Sequence, residues 1–443
     1  MTLLQHRWFA LLLSLPLIAC QPSKADDKAR TVPRPSKQDL EQALNVSYTP
    51  KATSKQECLG RLTFNVEGAF KWSLSANTNT PKDQMPTVSR EIRSTDEKLE
   101  YDEYVYALIF PGATQAQLDE DYQNAVDEQI YAKQELAKDI ELREEILQDL
   151  INEDPAKRNR NISQEVHDQH IVERKQEIAE KKAELATFGS ATHPMDFGMP
   201  DRKGYAQGRY LQGYLFSQGV YYRFVMGDNS NDNRTDAEHE AWFSDFMKRF
   251  QPRKLHEIPK ERGVCFPYGF IPDDGTKPFH TAAGIRFDDR PNVLYVINTQ
   301  VVGERPVTNT LFEATSRASV GLMPGFANEE VAKLIKKRVG PHRAYIGELA
   351  SEQGGAAVRL TEGKRQFDNY SVYTGYMGWM GSQVLPFIAV DMRSFTRAQT
   401  ARSEIERLKT DPPPFEESKA RLDALLKSVR LRSTTPTMPE LQF

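Results

Sequence analysis

The feature that most restricts the fold of this chain is a long stretch, residues 115–188, that contains no glycine and a single proline, Pro155. Most of its residues are strong helix formers. The proline follows Asn152, Glu153 and Asp154, a sequence typical of the end of a helix. The stretch therefore predicts two long helices that fold back on each other as a helical hairpin.

Apolar residues of the predicted hairpin recur at helical spacing, which predicts a seam between the two helices. They are Leu118, Tyr122, Val126 and Ile130 on the outgoing helix and Ile171, Ile178 and Leu185 on the return helix. Residues 115–154 also hold 13 acidic and three basic side chains. Two interpretations follow, an acidic arm that contacts a partner or a solvated helix pair that lies on a sheet.

The rest of the chain predicts an α+β fold with two domains of related plan, each an antiparallel sheet with a helix. The first domain is expected at residues 39–251 and includes the hairpin, and the second at residues 263–443. Residues 252–262, with two prolines and several basic residues, are expected to be the linker. Each domain is predicted to open on a strand that carries a cysteine, Cys58 or Cys265, and to end near an amphipathic helix.

Several elements of this plan follow from local patterns. Residues 210–216 and 220–226 predict one β-hairpin, and residues 284–287 and 293–299 predict another. Thr235 with Glu238 three residues later predicts a capping box ahead of an aromatic helix. Residues 329–337 predict a further helix.

The amino terminus has the composition of a signal peptide. Arg7 precedes an uncharged apolar run, residues 8–18, which would rise only about 16 Å as a helix against the roughly 30 Å of a bilayer core. The run ends in Leu17-Ile18-Ala19-Cys20, similar to a bacterial lipobox. We expect a lipoprotein signal peptide at residues 1–19, acylation of Cys20, for instance with palmitate, and a flexible tether at residues 20–38. The alternative is an ordinary signal peptide with an incidental cysteine.

These expectations place the body of the chain at the periplasmic face of a bacterial membrane. Gln21 follows the cysteine where inner-membrane lipoproteins commonly carry Asp, so the outer membrane is the expected location. No later apolar run approaches the length of a membrane span, which leaves the lipid on Cys20 as the expected membrane contact. In an oxidising compartment, Cys58 and Cys265 can form a disulfide or remain separate buried thiols.

Charge and motifs exclude several classes of function. The formal net charge is −4, and it becomes −5 when Arg7 leaves with the leader, which argues against a nucleic-acid-binding protein. The chain lacks the serine-hydrolase, zinc-helix and phosphate-loop motifs, so we expect no catalytic residue and no cofactor.

Two groups of side chains have a weak resemblance to metal sites. Residues 228–239 have calcium-loop spacing from Asp228 to Asp236, but Asn233 and His239 stand where glycine and glutamate are required. His167 and His170 are one helical turn apart without a third ligand nearby. We therefore expect no metal.

Residues 375–381 form the most unusual local sequence, with aromatic and sulfur-containing side chains between glycines. Tyr376, Met377, Trp379 and Met380 are of the types enriched at protein-binding surfaces, so they are the candidate partner-binding residues. The alternative is a buried strand pair with close backbone contact.

The order of these features resembles a known family. The lipobox, Cys58-Leu59-Gly60-Arg61 with the alternating strand after it, the helical insertion and the second opening Cys265-Phe266-Pro267-Tyr268-Gly269-Phe270-Ile271 resemble the two-domain immunity lipoproteins paired with type VI secretion lipase effectors. The resemblance implies a non-catalytic periplasmic protein that binds and inhibits a cognate phospholipase and protects the producing cell and its siblings. The alternatives are an envelope lipoprotein with a scaffold or assembly role and a periplasmic enzyme.

Overall fold

The structure is a computed structural model. It describes residues 35–74, 98–102, 104–154, 163–187, 192–227, 234–301, 335–379, 381–397 and 410–432. The predicted signal peptide, Cys20, residues 20–34 of the predicted tether, residues 228–233 of the calcium-like loop and Met380 lie outside these residues.

Five helices have both ends within the described residues. They are α1 (Lys37–Leu44), α2 (Gln115–Ile151), α3 (Gln164–Thr187), α4 (Asp236–Arg249) and α5 (Phe415–Ser428). Capping boxes start α1, α2 and α4, and the box at Thr235 is the one predicted from the sequence. In the described part of the chain, no helix is both long and apolar enough to cross a membrane.

Strands make up most of the remaining regular structure. Those within the described residues are β1 (Ser54–Leu59), β2 (Leu62–Glu67), β3 (Phe70–Ser73), β4 (Lys98–Tyr101), β5 (Val105–Pro111), β6 (Thr192–Met195), β7 (Arg202–Gln207), β8 (Tyr210–Ser217), β9 (Val220–Met226), β10 (Gln251–Pro252), β11 (Gly263–Phe266), β12 (Gly269–Pro272), β13 (Phe279–Phe287), β14 (Val293–Gln300), β15 (Ile335–Ile346), β16 (Leu349–Glu362), β17 (Arg365–Tyr376), β18 (Phe387–Ser394) and β19 (Arg430–Leu431).

Thirteen of these strands form one antiparallel sheet. Its order is β15-β16-β17-β18-β14-β13-β4-β5-β9-β8-β7-β6, and β3 also pairs with β13. β13 joins the two predicted halves, because Phe279 pairs with Tyr101 of β4 and Gly284 pairs with Ser73 of β3. The predicted α+β class with antiparallel sheets is confirmed. The division into two domains at residues 252–262 stays a prediction, and residues 34–443 group as one compact unit.

Two small sheets show that the halves exchange their opening hairpins. The first hairpin, β1–β2, pairs with β19, the strand that follows α5 near the carboxyl end of the described chain. The second hairpin, β11–β12, pairs with β10, the strand that follows α4. We call β1–β2 and β11–β12 the exchanged hairpins, since each is completed by a strand from the other half.

The exchanged hairpins meet at their cysteines. The backbone amides of Gly60 and Cys265 each donate to the other residue's carbonyl at 2.8 Å. Cys58 and Cys265 form a disulfide with a Cα–Cα distance of 5.8 Å. Of the two alternatives that the sequence leaves open, the structure has the disulfide. The first and second halves are thus joined covalently across 207 positions of sequence.

Buried ion pairs surround this junction. The Glu57 carboxylate lies 2.6 Å from the Arg253 guanidinium, and the Asp273 carboxylate accepts two hydrogen bonds of 2.9 Å from Arg61. Arg253 also donates to the carbonyls of Cys58 and Phe266. Breaking one of these buried pairs would leave an uncompensated charge in the interior, so the pairs favour this arrangement of the junction.

The helices that end each half pack through the faces that the sequence predicts. On α4, the rings of Phe243 and Phe246 are fully buried, and so is the ring of Phe250 directly after the helix. On α5, Leu422, Leu425 and Leu426 are buried in the same cluster of side chains. Burial of these faces contributes to the hydrophobic stabilisation of the body.

One predicted element is wrong in its described part. Residues 329–337 have the pattern of a helix, but Ile335 opens the long strand β15. This strand pairs with β16 along most of its length, and such long-range pairing overrides a local helical preference. The hairpins predicted at 210–226 and 284–299 are confirmed as β8–β9 and β13–β14.

Candidate partner-binding surfaces

The predicted helical hairpin is present as α2 and α3, which together we call the arm. At 37 residues, α2 extends about 55 Å. Its first turns pack on the large sheet, where Leu118 and Ala125 join Tyr214 and Tyr221 in a separate apolar cluster. Lys203 of β7 forms an ion pair with Asp119 at 2.6 Å. The amino-terminal end of α2 is therefore anchored to the sheet.

A second anchor at this end is a half-buried carboxyl group, that of Asp121. Burial raises the pKa of Asp121, while Tyr221 and Arg223 oppose the shift. Arg223 in turn donates to Gln212 through two nitrogens, at 3.1 and 2.8 Å. The orientation of the arm on the sheet is thus held by polar contacts as well as by apolar packing.

Farther along, the two helices hold each other. Ile140 of α2 and Ile178 of α3 are buried in the arm. Ion pairs cross between the helices, from Arg143 to Glu177, from Lys181 to Asp139 and from Lys182 to Glu144. These partly exposed pairs contribute little each, and the network fixes the register of the helices more than it stabilises them.

The apolar seam differs from the prediction at one position. Leu118 and Ile178 are buried as expected, but the side chain of Ile130 is 54% exposed. Residues spaced by four rotate about 40° per step around a helix, so Ile130 lies about 120° from Leu118. The predicted stripe therefore turns away from the seam before it reaches Ile130.

Exposed apolar side chains are concentrated on the arm. The described residues include eleven large hydrophobic side chains that are exposed, and seven are on α2 and α3. These seven are Ile130, Tyr131, Leu142, Ile146, Ile151, Val166 and Val172. This concentration makes the arm a candidate surface for a partner.

Three of these side chains share one face of α2. At 100° per residue, Tyr131, Leu142 and Ile146 fall within about 60° of each other. Their exposed fractions are 61%, 55% and 46%. Acidic residues of the same helix, such as Glu135 and Glu145, lie near this direction. We call Tyr131, Leu142 and Ile146 the arm face.

The other predicted surface, the loop after β17, is folded onto the body. Tyr376 and Trp379 are half-buried and pack against the main core. The Trp379 amide donates to the Leu385 carbonyl at 2.9 Å. Burial and the nearby Asp39 carboxylate raise the pKa of Tyr376 to about 12.

Glycine is required in this loop at position 378. Its φ is +72°, and a Cβ atom there would lie 2.5 Å from backbone atoms of Pro386 and Phe387. Tyr376, Met377 and Trp379 keep part of their surface accessible, so their role in partner binding stays a prediction. Met380 lies outside the described residues.

The two weak metal candidates gain no support. His167 is buried, and its Nε2 lies 3.1 Å from the Leu150 carbonyl, which ties the start of α3 to the end of α2. His170 is exposed. Among the described residues, no three side chains of the metal-ligating types are grouped to hold an ion. Residues 228–233 of the calcium-like loop lie outside the described residues.

Solved structures of immunity proteins have a loose similarity to this chain. The immunity protein TplEi of the type VI secretion system from Pseudomonas aeruginosa, complexed with "L" peptide, is 12% identical with a TM-score of 0.45, and the match covers 86% of this chain and 99% of that one. A chain of the Tle4-Tli4 complex is 14% identical with a TM-score of 0.47, and the match covers 87% and 100%. A comparison with curated protein sequences finds no match.

A family model gives the more specific result. Residues 257–434 match the Tle cognate immunity protein 4 C-terminal domain. The matched segment starts just before the second exchanged hairpin and ends just beyond β19. The expectation that the chain is not an enzyme agrees with a family of immunity proteins. The predicted resemblance to lipase-effector immunity proteins is confirmed by the match of residues 257–434 to the Tle cognate immunity protein 4 C-terminal domain.

Proposed function

We propose that this chain is an immunity protein that binds a cognate type VI secretion lipase effector in the periplasm and blocks its activity, which protects the producing cell and its siblings. The observation that carries the proposal is the family match over residues 257–434. The effector is the proposed partner. Inhibition would then arise from binding alone and would need no catalytic group in this chain.

The proposal includes an anchor at the membrane that the effector attacks. Acylation of Cys20 after removal of residues 1–19 would hold the protein at the periplasmic face of the outer membrane. The 16 residues from Gln21 to Ser36 would separate the lipid from α1, and so short a tether would raise the local concentration of the inhibitor at the same surface as its target. A disulfide between Cys58 and Cys265 is compatible with an oxidising compartment.

The arm face is the surface that we propose for the effector. Its apolar side chains are exposed, so docking would remove them from water without first unfolding any part of the body. The acidic surroundings on α2 favour an effector surface that combines apolar and basic side chains. Tyr376, Met377 and Trp379 form the second proposed contact, with Met380 as the remaining member of that predicted set.

Binding and inhibition test the function directly. The full chain is mixed with a candidate type VI secretion lipase effector from the same genome, complex formation is measured by co-purification, and phospholipase activity is measured as the chain is titrated in. Stoichiometric binding with loss of lipase activity is expected. A lipase that stays fully active and does not co-purify would contradict the immunity function and favour the scaffold role.

Substitutions test the surface separately from the function. Leu142→Ser with Ile146→Ser should weaken effector binding at least tenfold, because two anchors of the arm face lose their apolar area. Thermal stability should change little, since both side chains are about half exposed. Tyr345→Ser, at a side chain 50% exposed on β15, is the matched control. Unchanged binding by the double variant, with wild-type inhibition intact, would reject the arm face and keep the function.

The second contact is tested in the same assay. Trp379→Ala should weaken effector binding if this loop touches the effector. Because Trp379 packs on the core, its loss should also lower stability, so the melting temperature is measured alongside the affinity. A loss of stability without a loss of affinity would assign the loop to the body.

A further inference from the structure

An open pocket lies where the first exchanged hairpin meets the carboxyl-terminal strand. Its volume is about 470 Å³, within the range of ligand pockets. Apolar side chains at α1 and at residues 258–259 form part of the wall, and Arg430 and Arg432 form another part. We call this cavity the arginine pocket. It is distant in sequence from the arm and from the loop after β17.

Neither arginine of the pocket has an ion pair with a described carboxylate. Arg430 is half-buried, and its Nη1 donates to the Asn65 side chain at 2.9 Å and to the Ser428 carbonyl at 2.7 Å. Its guanidinium lies 5.3 Å from the centre of the Tyr48 ring. Its Nη2 and Nε have no described hydrogen-bond partner, so this side chain keeps donors for a ligand.

Arg432 adds a charge that is buried without a counter-ion. The side chain is 3% exposed and donates only to the carbonyls of Gly263, Pro259 and Glu261. Its Nε has no hydrogen-bond partner among the described residues. Burial, and then the positive charges of Arg61 and Arg253, lower the pKa of Arg432 to about 10. A guanidinium still carries its charge at neutral pH under these conditions.

The charges around the pocket do not balance. Arg61 pairs with Asp273 and Arg253 pairs with Glu57, which leaves the charges of Arg430 and Arg432 uncompensated. Residues two apart on a strand point to the same side, so both guanidinium groups belong to one face of the carboxyl-terminal segment. A group with about two negative charges would neutralise this excess, and a phosphate monoester carries about −1.5 to −2 at pH 7.

We propose that the arginine pocket binds a phosphate group. The guanidinium fork of Arg430 suits phosphate oxygens, and the buried Arg432 supplies attraction at short range. The pocket is larger than one phosphate, and the apolar side chains of Leu44, Val46 and Ile258 are suited to an organic part of the ligand. The phosphate can come from a lipid headgroup or from a free phosphate, and the two sources are separable by experiment.

Calorimetric titration of the full, oxidised chain tests the proposal. The ligands are inorganic phosphate, dihexanoyl phosphatidic acid, which is soluble without vesicles, and acetate. One saturable site for phosphate is expected. Phosphatidic acid binding at least tenfold tighter than inorganic phosphate would support the lipid source, and equal affinities would support free phosphate.

Two variants connect binding to this pocket. Arg430→Gln should weaken phosphate binding about tenfold or more, because charge-assisted hydrogen bonds are lost. Val46 is 81% exposed at the rim, so Val46→Glu should weaken binding by repulsion without disturbing the fold. Arg174→Gln, which removes an equal charge from the arm, and Val46→Leu are the matched controls and should bind as the wild type does.

Three results would overturn the proposal. They are the absence of saturable phosphate binding, equal affinity in the wild type and in both pocket variants, and acetate binding as tight as phosphate. Far-ultraviolet circular dichroism of each variant checks that the fold is kept. If Arg430→Gln does not fold, Val46→Glu alone decides whether the site lies in this pocket.

Discussion

The disulfide between Cys58 and Cys265 should be the largest single contribution to stability that can be removed without altering a side chain. Reduction of the wild type breaks the cross-link and leaves both sulfur atoms in place. The bond spans 207 positions of sequence, so the unfolded chain without it gains the freedom of a very long loop. The chain-entropy relation gives about 5 kcal/mol at 25 °C for a loop of this size.

Removal of the cysteines by mutation adds a second, smaller effect. Both residues are fully buried, so Cys58→Ala with Cys265→Ala also loses two packed sulfur atoms. A loss of this size in a core costs about 1 kcal/mol per position. The double variant should therefore be less stable than the reduced wild type by about 2 kcal/mol, and insensitive to reductant.

Urea denaturation with and without reductant measures both quantities. Tryptophan fluorescence and circular dichroism should give coincident transitions if unfolding is two-state. The dependence of the unfolding free energy on urea should become steeper after reduction, because the unfolded chain without the cross-link exposes more surface. A difference below about 1 kcal/mol between the unfolding free energies of the oxidised and the reduced wild type would refute the reasoning. Other contacts hold Cys58 and Cys265 together only in the folded state, so they cannot offset the entropy that the unfolded chain gains on reduction.

Four further predictions follow from the packing. Phe246→Ala should lower the free energy of unfolding by about 3–5 kcal/mol in urea denaturation, because the ring is fully buried, whereas Tyr131→Ala should change it by less than about 0.5 kcal/mol. Gly378→Ala should lower the melting temperature, because alanine at a φ of +72° meets the backbone of the next strand. Burial and Lys98 lower the pKa of His280 to about 4, so between pH 6.5 and 4 the unfolded chain binds one more proton than the folded chain. Acidification through that window should therefore destabilise the wild type by at most about 3 kcal/mol, and it should destabilise the His280→Gln variant less. Residues 39–251 expressed alone should show no cooperative thermal transition, because β1–β2 would lack β19.

Local sequence patterns predict the local parts of this fold well. The helical hairpin, the capping box at Thr235 and the hairpin β8–β9 depend on residues close in sequence, and all three are present. The helix expected at residues 329–337 shows the limit of such patterns, because β16 imposes a strand on the described part of that segment. The candidate loop likewise has a distinctive composition, but only the packing of Trp379 shows that it rests on the core.

Pairings between distant residues are beyond such patterns. No local feature of Leu62 or Leu431 indicates that they are partners, and no spacing indicates that Cys58 lies beside Cys265. The arginine pocket is similar, since Arg430 and Val46 meet only after the chain has closed on itself. The arm face is only partly predictable from the sequence. Local patterns predict α2, but the packing of α3 against it decides which of its residues remain exposed.

The exchange of the opening hairpins has a consequence for the order of events during synthesis and folding. A chain synthesised from its amino terminus contains β1–β2 early, yet their partner strand β19 is made only after more than 360 further residues. Until then, one edge of β2 and a reactive thiol at Cys58 are exposed to other chains. Contacts of this long range also slow folding. We therefore expect the newly made chain to depend on chaperones and thiol-disulfide catalysts for the interval between the synthesis of its first strand and its last.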